Sequence, residues 1–296
     1  MKAILLPLLI LAGSCTYNNR GTYFFAEGGI QGTSYHITYQ SPDSIDYSDS
    51  ITRILHEFDL SLSSYIPNSI ISGINRNDNQ VTPDKYFTDV YKKSEEVYHA
   101  SKGLFDITVA PLVNAWGFGP DKSMAPDSTK IDSLMVWWAM TKSILTKTKF
   151  AKYIAGIKLD FSAVAKGYAV DVVAKYLEDK GIEDLLVEIG GELICKGTKP
   201  DGQPWRTAIE DPQVGAYERK VLSVVQLTDR AVATRQLPQL LCSRWPKVCT
   251  HHQPCHRISH STQPAECLCI CRQLHDCRCI CHGLYGNGRG KKPKLY

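Results

Sequence analysis

Three short stretches carry residue types and spacings that could do chemistry. In "LDFSAVAKGYAVD", residues 159–171, Lys166 falls where a helix should start, among small residues. There an ammonium, unbonded backbone N–H groups and the positive end of a helix dipole converge, which suits a phosphate. Lys-Gly near a helix start is equally a common solvated feature. In "GLFDITVAP", residues 103–111, Asp106 interrupts an apolar run. It is either a buried acceptor holding a loop or a ligand contact. In "LSLSSYIPNSIISGIN", residues 60–75, Tyr65 is available to stack on a flat ring or is a plain surface tyrosine.

A fourth stretch is of another kind. "ECLCICRQLHDCRCICH", residues 266–282, packs six cysteines and two histidines into seventeen positions. Thiolates and imidazoles are soft metal ligands, so a secreted zinc-binding or disulfide-rich module is one reading. The spacing, however, matches no paired C-x2-C arrangement, and cysteines alternating along one strand are poorly placed for disulfides.

The elements that must position these residues follow from periodicity. "GIQGTSYHITYQ", residues 29–40, alternates as a strand interrupted at Gly32-Thr33. Ile51, Ile54, Leu55 and Phe58 share one helix face, with a serine or aspartate near residue 50 as cap. A second helix takes Thr82 as N-cap and Pro83 as first residue. It buries Phe87, Val90, Ser94 and Val97 and stops at Gly103. "LFDITVAPLVNAWGFG" reads as apolar and extended, running into a glycine-rich loop. Residues 157–197 read strand, helix, strand and a tight Gly190-Gly191 turn, with Ser162 capping a helix that runs to about Lys180. A Pro-Asp-Gly turn and another strand follow. The irregular alternation predicts an α+β fold of mixed α and β layers rather than a clean parallel sheet.

Composition sets outer bounds. A chain of 296 residues, 43% apolar and 22% charged, has room for one large or two ordinary domains. A formal charge of +4 gives no reason to expect a nucleic-acid partner. The averages hide a break near Thr234. Of 11 cysteines only Cys15 and Cys195 precede residue 235, and beyond it Glu266 and Asp276 are the only acidic residues. At the other end, "MKAILLPLLILAGSC" has a basic start, an apolar run too short to span a bilayer, and small residues before Cys15. Residues 1–15 are expected to be a lipoprotein signal peptide with Cys15 as lipid attachment site, although Leu11 sits one place further back than the usual lipobox pattern. Plain secretion with an incidental Cys15 is the alternative. Either way the mature protein is expected outside the cytoplasm, and with a lipid anchor it would be held to a bacterial membrane facing the periplasm.

Taken together, "GTSYHI", "LSSYIPNSIISGIN", "GLFDITVAPLVNAWGFG", "LDFSAVAKGYAVD" and "VEIGGEL" resemble, in that order, the FAD:protein FMN transferase family, once called thiamine biosynthesis lipoproteins. The resemblance covers residues 22–234. It implies a Mg2+-dependent enzyme that splits FAD at its pyrophosphate, releases AMP and attaches FMN to a threonine of an exported or membrane redox subunit; some members only hydrolyse FAD. It also implies residue roles. Gln31 and Gly32 stand at a Met-Gly-Thr flavin contact, with Gln31 replacing the methionine. Tyr65 matches the ring-stacking tyrosine. Leu104, Phe105 and Asp106 match the segment lining the adenosine end. Asp160 and Lys166 match FAD contacts, and Ala163 matches a backbone carbonyl that reaches Mg2+.

The resemblance stops after "LTDRAVAT", where the family continues with a histidine segment and a helix supplying aspartate and threonine metal ligands. Reading each later codon from its second base restores both. Trp245-Pro246 then permits only glycine, the run from Arg235 permits "GNYRNFYVVDGQKYAHTINPATGYPTQ", and "HDCRCICH" permits "MTADAYAT". Residues 235–296 are therefore expected to be a frameshifted tail, lacking any periodic apolar face and disordered or badly packed. On that expectation the catalytic residues cannot be named in this chain and its transfer activity is lost; a non-catalytic exported flavin-binding protein is the alternative. The DNA decides it: the phase one base along should spell Met-Thr-Ala-Asp-Ala-Tyr-Ala-Thr opposite residues 275–282. A phase that cannot do so removes the frameshift reading.

Overall fold

The computed structural model describes residues 21–103, 105–120, 128–137, 140–146, 149–210, 221–235 and 267–271. Leu104, Cys15 with the rest of the N-terminal segment, and most of the tail lie outside the described residues.

Two strands, β1 (Thr22–Ile30) and β2 (Thr33–Ser41), form an antiparallel hairpin in register from Thr22↔Ser41 to Ile30↔Thr33. The sequence suggested one strand with an interruption; the interruption is the hairpin turn itself. Gln31 and Gly32 have φ of 52° and 70°, the two positive values that a two-residue turn matched to strand twist requires. Gly28 and Gly29, without side chains to alternate, concealed the end of β1.

Helix α1 (Ser48–Leu62) buries Ile51, Ile54, Leu55 and Phe58 as its periodicity requires. Its start is held by Asp46 rather than by a residue near 50. The carboxylate accepts from the Ser48 backbone N–H at 2.9 Å and from the Tyr39 hydroxyl at 2.9 Å. A short helix, α2 (Ile70–Asn75), follows behind Ser69. In α3 (Lys85–Ala100) the N-cap is Asp84, not Thr82. Asp84 Oδ1 accepts from the Phe87 N–H at 2.8 Å and the Ser61 hydroxyl at 2.7 Å, which leaves Pro83 outside the helix. Phe87, Val90, Ser94 and Val97 are buried as expected, and Gly103 closes the helix at φ +80° by donating to the Tyr98 carbonyl at 2.8 Å.

The apolar stretch after Gly103 is helical, not extended: a 3-10 turn over Ile107–Val109 leads into α4 (Ala110–Ala115). Asp106 starts it by accepting from the Thr108 N–H at 2.8 Å and hydroxyl at 2.7 Å, and Pro111 fits the first helical turn. A short apolar run has no period to distinguish strand from buried helix. Helix α5 (Ser128–Met135) packs Leu134 on Leu112 and Ala115 of α4. Strands β3 (Ser143–Leu145) and β4 (Phe150–Lys152) make a small hairpin.

Residues 157–164 contain no strand, contrary to expectation. Nor does Ser162 cap α6 (Ala165–Asp179): its N–H is taken by Asp160 Oδ1 at 2.7 Å, and Val164 stands at the N-cap without a side-chain bond. Gly181, at φ +78°, ends α6 as read. Strands β5 (Leu185–Ile189) and β6 (Glu192–Lys196) flank the Gly190-Gly191 turn. Then come β7 (Trp205–Glu210), β8 (Val221–Leu227), β9 (Arg230–Arg235) and β10 (Cys267–Cys271). β10 corrects the expectation of an unordered tail over five residues. Its backbone pairs antiparallel with β9, from Cys267↔Arg235 to Cys271↔Ala231, filling an edge that presents unpaired N–H and C=O groups.

The main sheet runs β1-β2-β5-β6-β9-β10. On one face Ile37, Tyr39, Leu185, Val187 and Ile189 pack with Ile51, Leu55, Phe58, Phe87, Val170 and Val173 from the helices. A second, smaller core of Leu193, Cys195, Trp205, Leu227 and Val232 joins the β7–β8 hairpin to the sheet. The architecture is the mixed α+β layering that the sequence predicts. Asp84→Ala should lower the unfolding free energy by about 1–2 kcal/mol, the loss of an N-cap, while exposed Thr82→Ala stays within about 0.5 kcal/mol. Urea denaturation of the two variants distinguishes the caps.

Candidate functional site

Three turns meet at the start of α6. Lys166, in the first turn of the helix, places Nζ 3.2 Å from Glu192 Oε2 and 3.4 Å from the Gly190 carbonyl. Glu192 is buried, at 1% exposure, while the Lys166 side chain keeps 26%, so the ammonium sits between a buried carboxylate and solvent. Gly190, at φ +56°, admits no side chain: a Cβ would lie 2.7 Å from Thr33 Cγ2 and 3.3 Å from Lys166 Nζ. Its N–H donates to the Ser34 carbonyl at 3.0 Å. The β1–β2 turn, the β5–β6 turn and the α6 N-terminus are thus in contact. Gly32 at the tip faces open space, with nothing within 4 Å of where a Cβ would stand.

Gln31 reaches the other way. It hydrogen-bonds to Asp59 of α1, whose carboxyl is pushed up by burial and pulled back by those bonds from Gln31. The Gln31 Oε1 atom is buried with no hydrogen-bond partner among the described residues.

Asp160 lies at the turn before α6. Its N–H donates to the Ile107 carbonyl at 2.8 Å, tying this turn to the segment of Phe105 and Asp106. Among the described residues no backbone N–H outside helices and strands donates to the Ala163 carbonyl, while its neighbours Val164 and Ala165 both donate to Phe161. Tyr65 is 63% exposed; its hydroxyl donates to the Phe118 carbonyl at 3.0 Å. Burial of the hydroxyl and then the charge of Asp160 push the Tyr65 phenol up, which puts the two within electrostatic reach.

Phe105 and Asp106 are buried, at 6% and 8% exposure. Of the two readings open for Asp106, the geometry shows the loop-holding one: Oδ1 serves Thr108, and Oδ2 accepts from the Met140 N–H at 3.0 Å. The structure therefore groups Gly32, Lys166 and the Gly190-Gly191 turn, with Gln31 anchored on α1 behind them. It sets Asp160, Ala163 and Tyr65 beside the same helix start, and uses Phe105 and Asp106 as support.

An exposed ring, a lysine in a helix's first turn and an open glycine turn can hold a flat group attached to phosphates. The fit to Mg2+ is incomplete. That ion takes near-octahedral oxygen coordination, and the described residues offer the Ala163 carbonyl and the Asp160 carboxylate. Among the described residues no three acidic, histidine or cysteine side chains gather as a metal site. Glu192 and Asn75 were missed from sequence. Glu192 was visible as a charged residue directly after a Gly-Gly turn, entering a buried strand.

A family profile described as the ApbE family matches residues 31–235. The FAD:protein FMN transferase of Vibrio cholerae is 35% identical over 239 residues, covering 78% of this chain and 70% of that protein. That of Haemophilus influenzae is 34% identical over 221 residues, covering 70% of this chain and 64% of its own length. Among solved structures, the flavin transferase ApbE from Vibrio cholerae superposes with a TM-score of 0.75 at 27% identity, covering 90% of this chain and 87% of that one. The apo flavinyl transferase ApbE of Pseudomonas stutzeri gives a TM-score of 0.76 at 26% identity, covering 90% and 84%.

Lys166→Met leaves the buried Glu192 carboxylate without its ammonium. The variant should lose about 1–3 kcal/mol of stability, below the range for a fully buried pair because water reaches Lys166. In a Glu192→Gln background the same change should cost clearly less. Equal losses in both backgrounds, read by a double-mutant cycle in urea, would mean the pair does not interact.

Proposed function

The chain belongs to the ApbE family, and from that membership we propose that it takes FAD as substrate and is built for FAD:protein FMN transfer. The observation that carries this reading is the meeting of Lys166, the Gly190-Gly191 turn and Gly32 at the N-terminus of α6, with Tyr65 and Asp160 on its flank. A pyrophosphate would sit at the helix start, where backbone N–H groups and Lys166 face its charge. The isoalloxazine would stack on the exposed Tyr65 ring. In the transfer a threonine oxygen of the acceptor bonds to the FMN phosphorus as the bond to the AMP oxygen breaks. AMP leaves with the electron pair, and the threonine proton passes to a base.

Mg2+, when bound, would neutralise the pyrophosphate. This part of the chain offers it Asp160 and the Ala163 carbonyl; the family's aspartate and threonine ligands would come from the C-terminal helix. We propose that residues 235–296 derive from a frame change that removes that helix. The translated chain keeps one half of the pocket, binds FAD weakly and does not transfer FMN. The acceptor would be an exported or membrane redox subunit bearing an accessible threonine, reached by a transferase tethered through Cys15 and facing the periplasm. No helix among the described residues is long and apolar enough to cross a membrane, so a tether would have to be the lipid.

The test compares this chain with its frame-restored form, each given FAD, Mg2+ and such an acceptor. AMP release and covalent flavin fluorescence on a denaturing gel are the readouts. The restored form should transfer, and the 296-residue chain should be slower by about a hundredfold or more. Equal rates would refute the loss of function, and failure of both would refute the flavin reading.

A further inference from the structure

Between Tyr65 and Asp160 lies α2, and side chains at its C-terminal end grip the segment that carries Asp160. The Asn75 amide pairs with one residue on both sides: Nδ2 donates to the Leu159 carbonyl at 2.9 Å, and Oδ1 accepts from the Leu159 N–H at 2.7 Å. A side chain here does the work of a neighbouring strand, which is why residues 157–164 run extended without joining a sheet. Asn77 Nδ2 donates to the Ala155 carbonyl at 3.2 Å. Lys152 Nζ bridges the Ile74 carbonyl at 2.8 Å and the Ile157 carbonyl at 2.9 Å.

The other end of α2 holds the Tyr65 loop. The Ser69 hydroxyl donates to the Ser63 carbonyl at 2.6 Å, the Ser72 hydroxyl reaches Ser63 and Ser64 at 3.4 Å, and Arg76 donates to the Pro67 carbonyl at 2.6 Å. The helix itself is fixed in the core: Ile71 is fully buried, and a Cβ on Gly73 would come within 2.6 Å of Val81 Cγ2. One rigid piece therefore connects the exposed ring to the turn before α6.

We propose that Asn75 is a positioning residue. By holding both backbone groups of Leu159 it sets the place of the Asp160–Ala163 turn relative to the Tyr65 ring. The use of that spacing, flavin on the ring and pyrophosphate at the helix start, rests on the flavin reading above. Asn75 suits the task because Leu159 is fully buried, so without the amide its N–H and C=O would lose their partners away from water. Lys152 cannot replace it. Burial and then the nearby Lys158 push its amine down to about 8, so its charge varies in the mildly alkaline range where the amide is constant.

Hydrogen exchange on the full chain tests this. In Asn75→Ala, amides of Leu159, Asp160 and Ser162 should exchange about tenfold faster or more, while those of Val170 to Leu177 and Leu185 to Ile189 keep their rates. Asn75→Asp retains the acceptor and loses the donor, and should fall between. Uniform acceleration would make Asn75 an ordinary stability residue, and no acceleration at Leu159–Ser162 would remove the grip; either overturns the proposal. FAD titration of the same proteins reads the consequence. Asn75→Ala should weaken binding by about fivefold relative to the parent chain, and an unchanged affinity overturns the positioning role. A parent chain giving no flavin signal counts against the flavin reading alone, because the exchange result still decides whether Asn75 holds the turn.

Discussion

A place where a side chain cannot fit governs this fold. Gly190 brings the β5–β6 turn against Thr33 and the Lys166 ammonium, closer than any Cβ would permit. The contact links the three segments that build the site: the first hairpin, the second hairpin and the start of α6. Glu192, buried two residues later, then needs a cation, and Lys166 is positioned to be it. The same ion pair that closes the sheet's end thus fixes a lysine at the positive end of a 15-residue helix. Stability and site placement come from one arrangement.

Around that junction the burial is ordinary and sufficient. The sheet face of Ile37, Tyr39, Leu185, Val187 and Ile189 is covered by α1, α3 and α6, with Phe87 wedged edge-on between Phe150 and Phe161. Polar groups that enter this core are bonded where they enter. Asp106 spends both oxygens on backbone and hydroxyl donors, and Ser94 returns its hydroxyl to the Val90 carbonyl at 2.7 Å. The carboxylate that looked conspicuous in an apolar run is the one that turns the chain.

What could be read from sequence follows a physical division. The stripes of α1 and α3 and the Gly190-Gly191 turn were legible because helix periodicity and positive-φ glycines are local signals. The N-caps were misplaced by two residues or more because several Ser, Thr and Asp side chains compete there. Which one wins depends on a distant partner, such as the Ser61 hydroxyl on Asp84. The run 104–115 was read as strand because a few apolar residues carry no period, and residues 157–160 because Ile157 and Leu159 alternate as a strand would. The alternation was real, both residues being fully buried, but the partner was a side-chain amide from α2 rather than another strand. Of the site, Lys166, Gly32 and Tyr65 were legible through motif order. Glu192 and Asn75 were not, since their importance lies in long-range pairing that no spacing reveals.

The charge balance at the helix start shows why fold and activity can separate. Lys166 is already committed to Glu192, so the net positive charge facing a pyrophosphate there is small and consists largely of the α6 dipole. A group with two or more negative charges needs further cations, and a divalent ion needs more anionic oxygen than Asp160 and one carbonyl provide. Those ligands must come from elsewhere, while the packing of α1, α3 and α6 on the sheet proceeds without them. Nothing in that core depends on residues beyond β9 except the edge, and the edge asks only for an extended backbone, which Cys267–Cys271 supplies. Sheet pairing reads hydrogen bonds and is tolerant of sequence; phosphate chemistry reads particular oxygens and is not. A chain altered after residue 235 can therefore retain the scaffold of a flavin transferase while losing what the scaffold was arranged to hold.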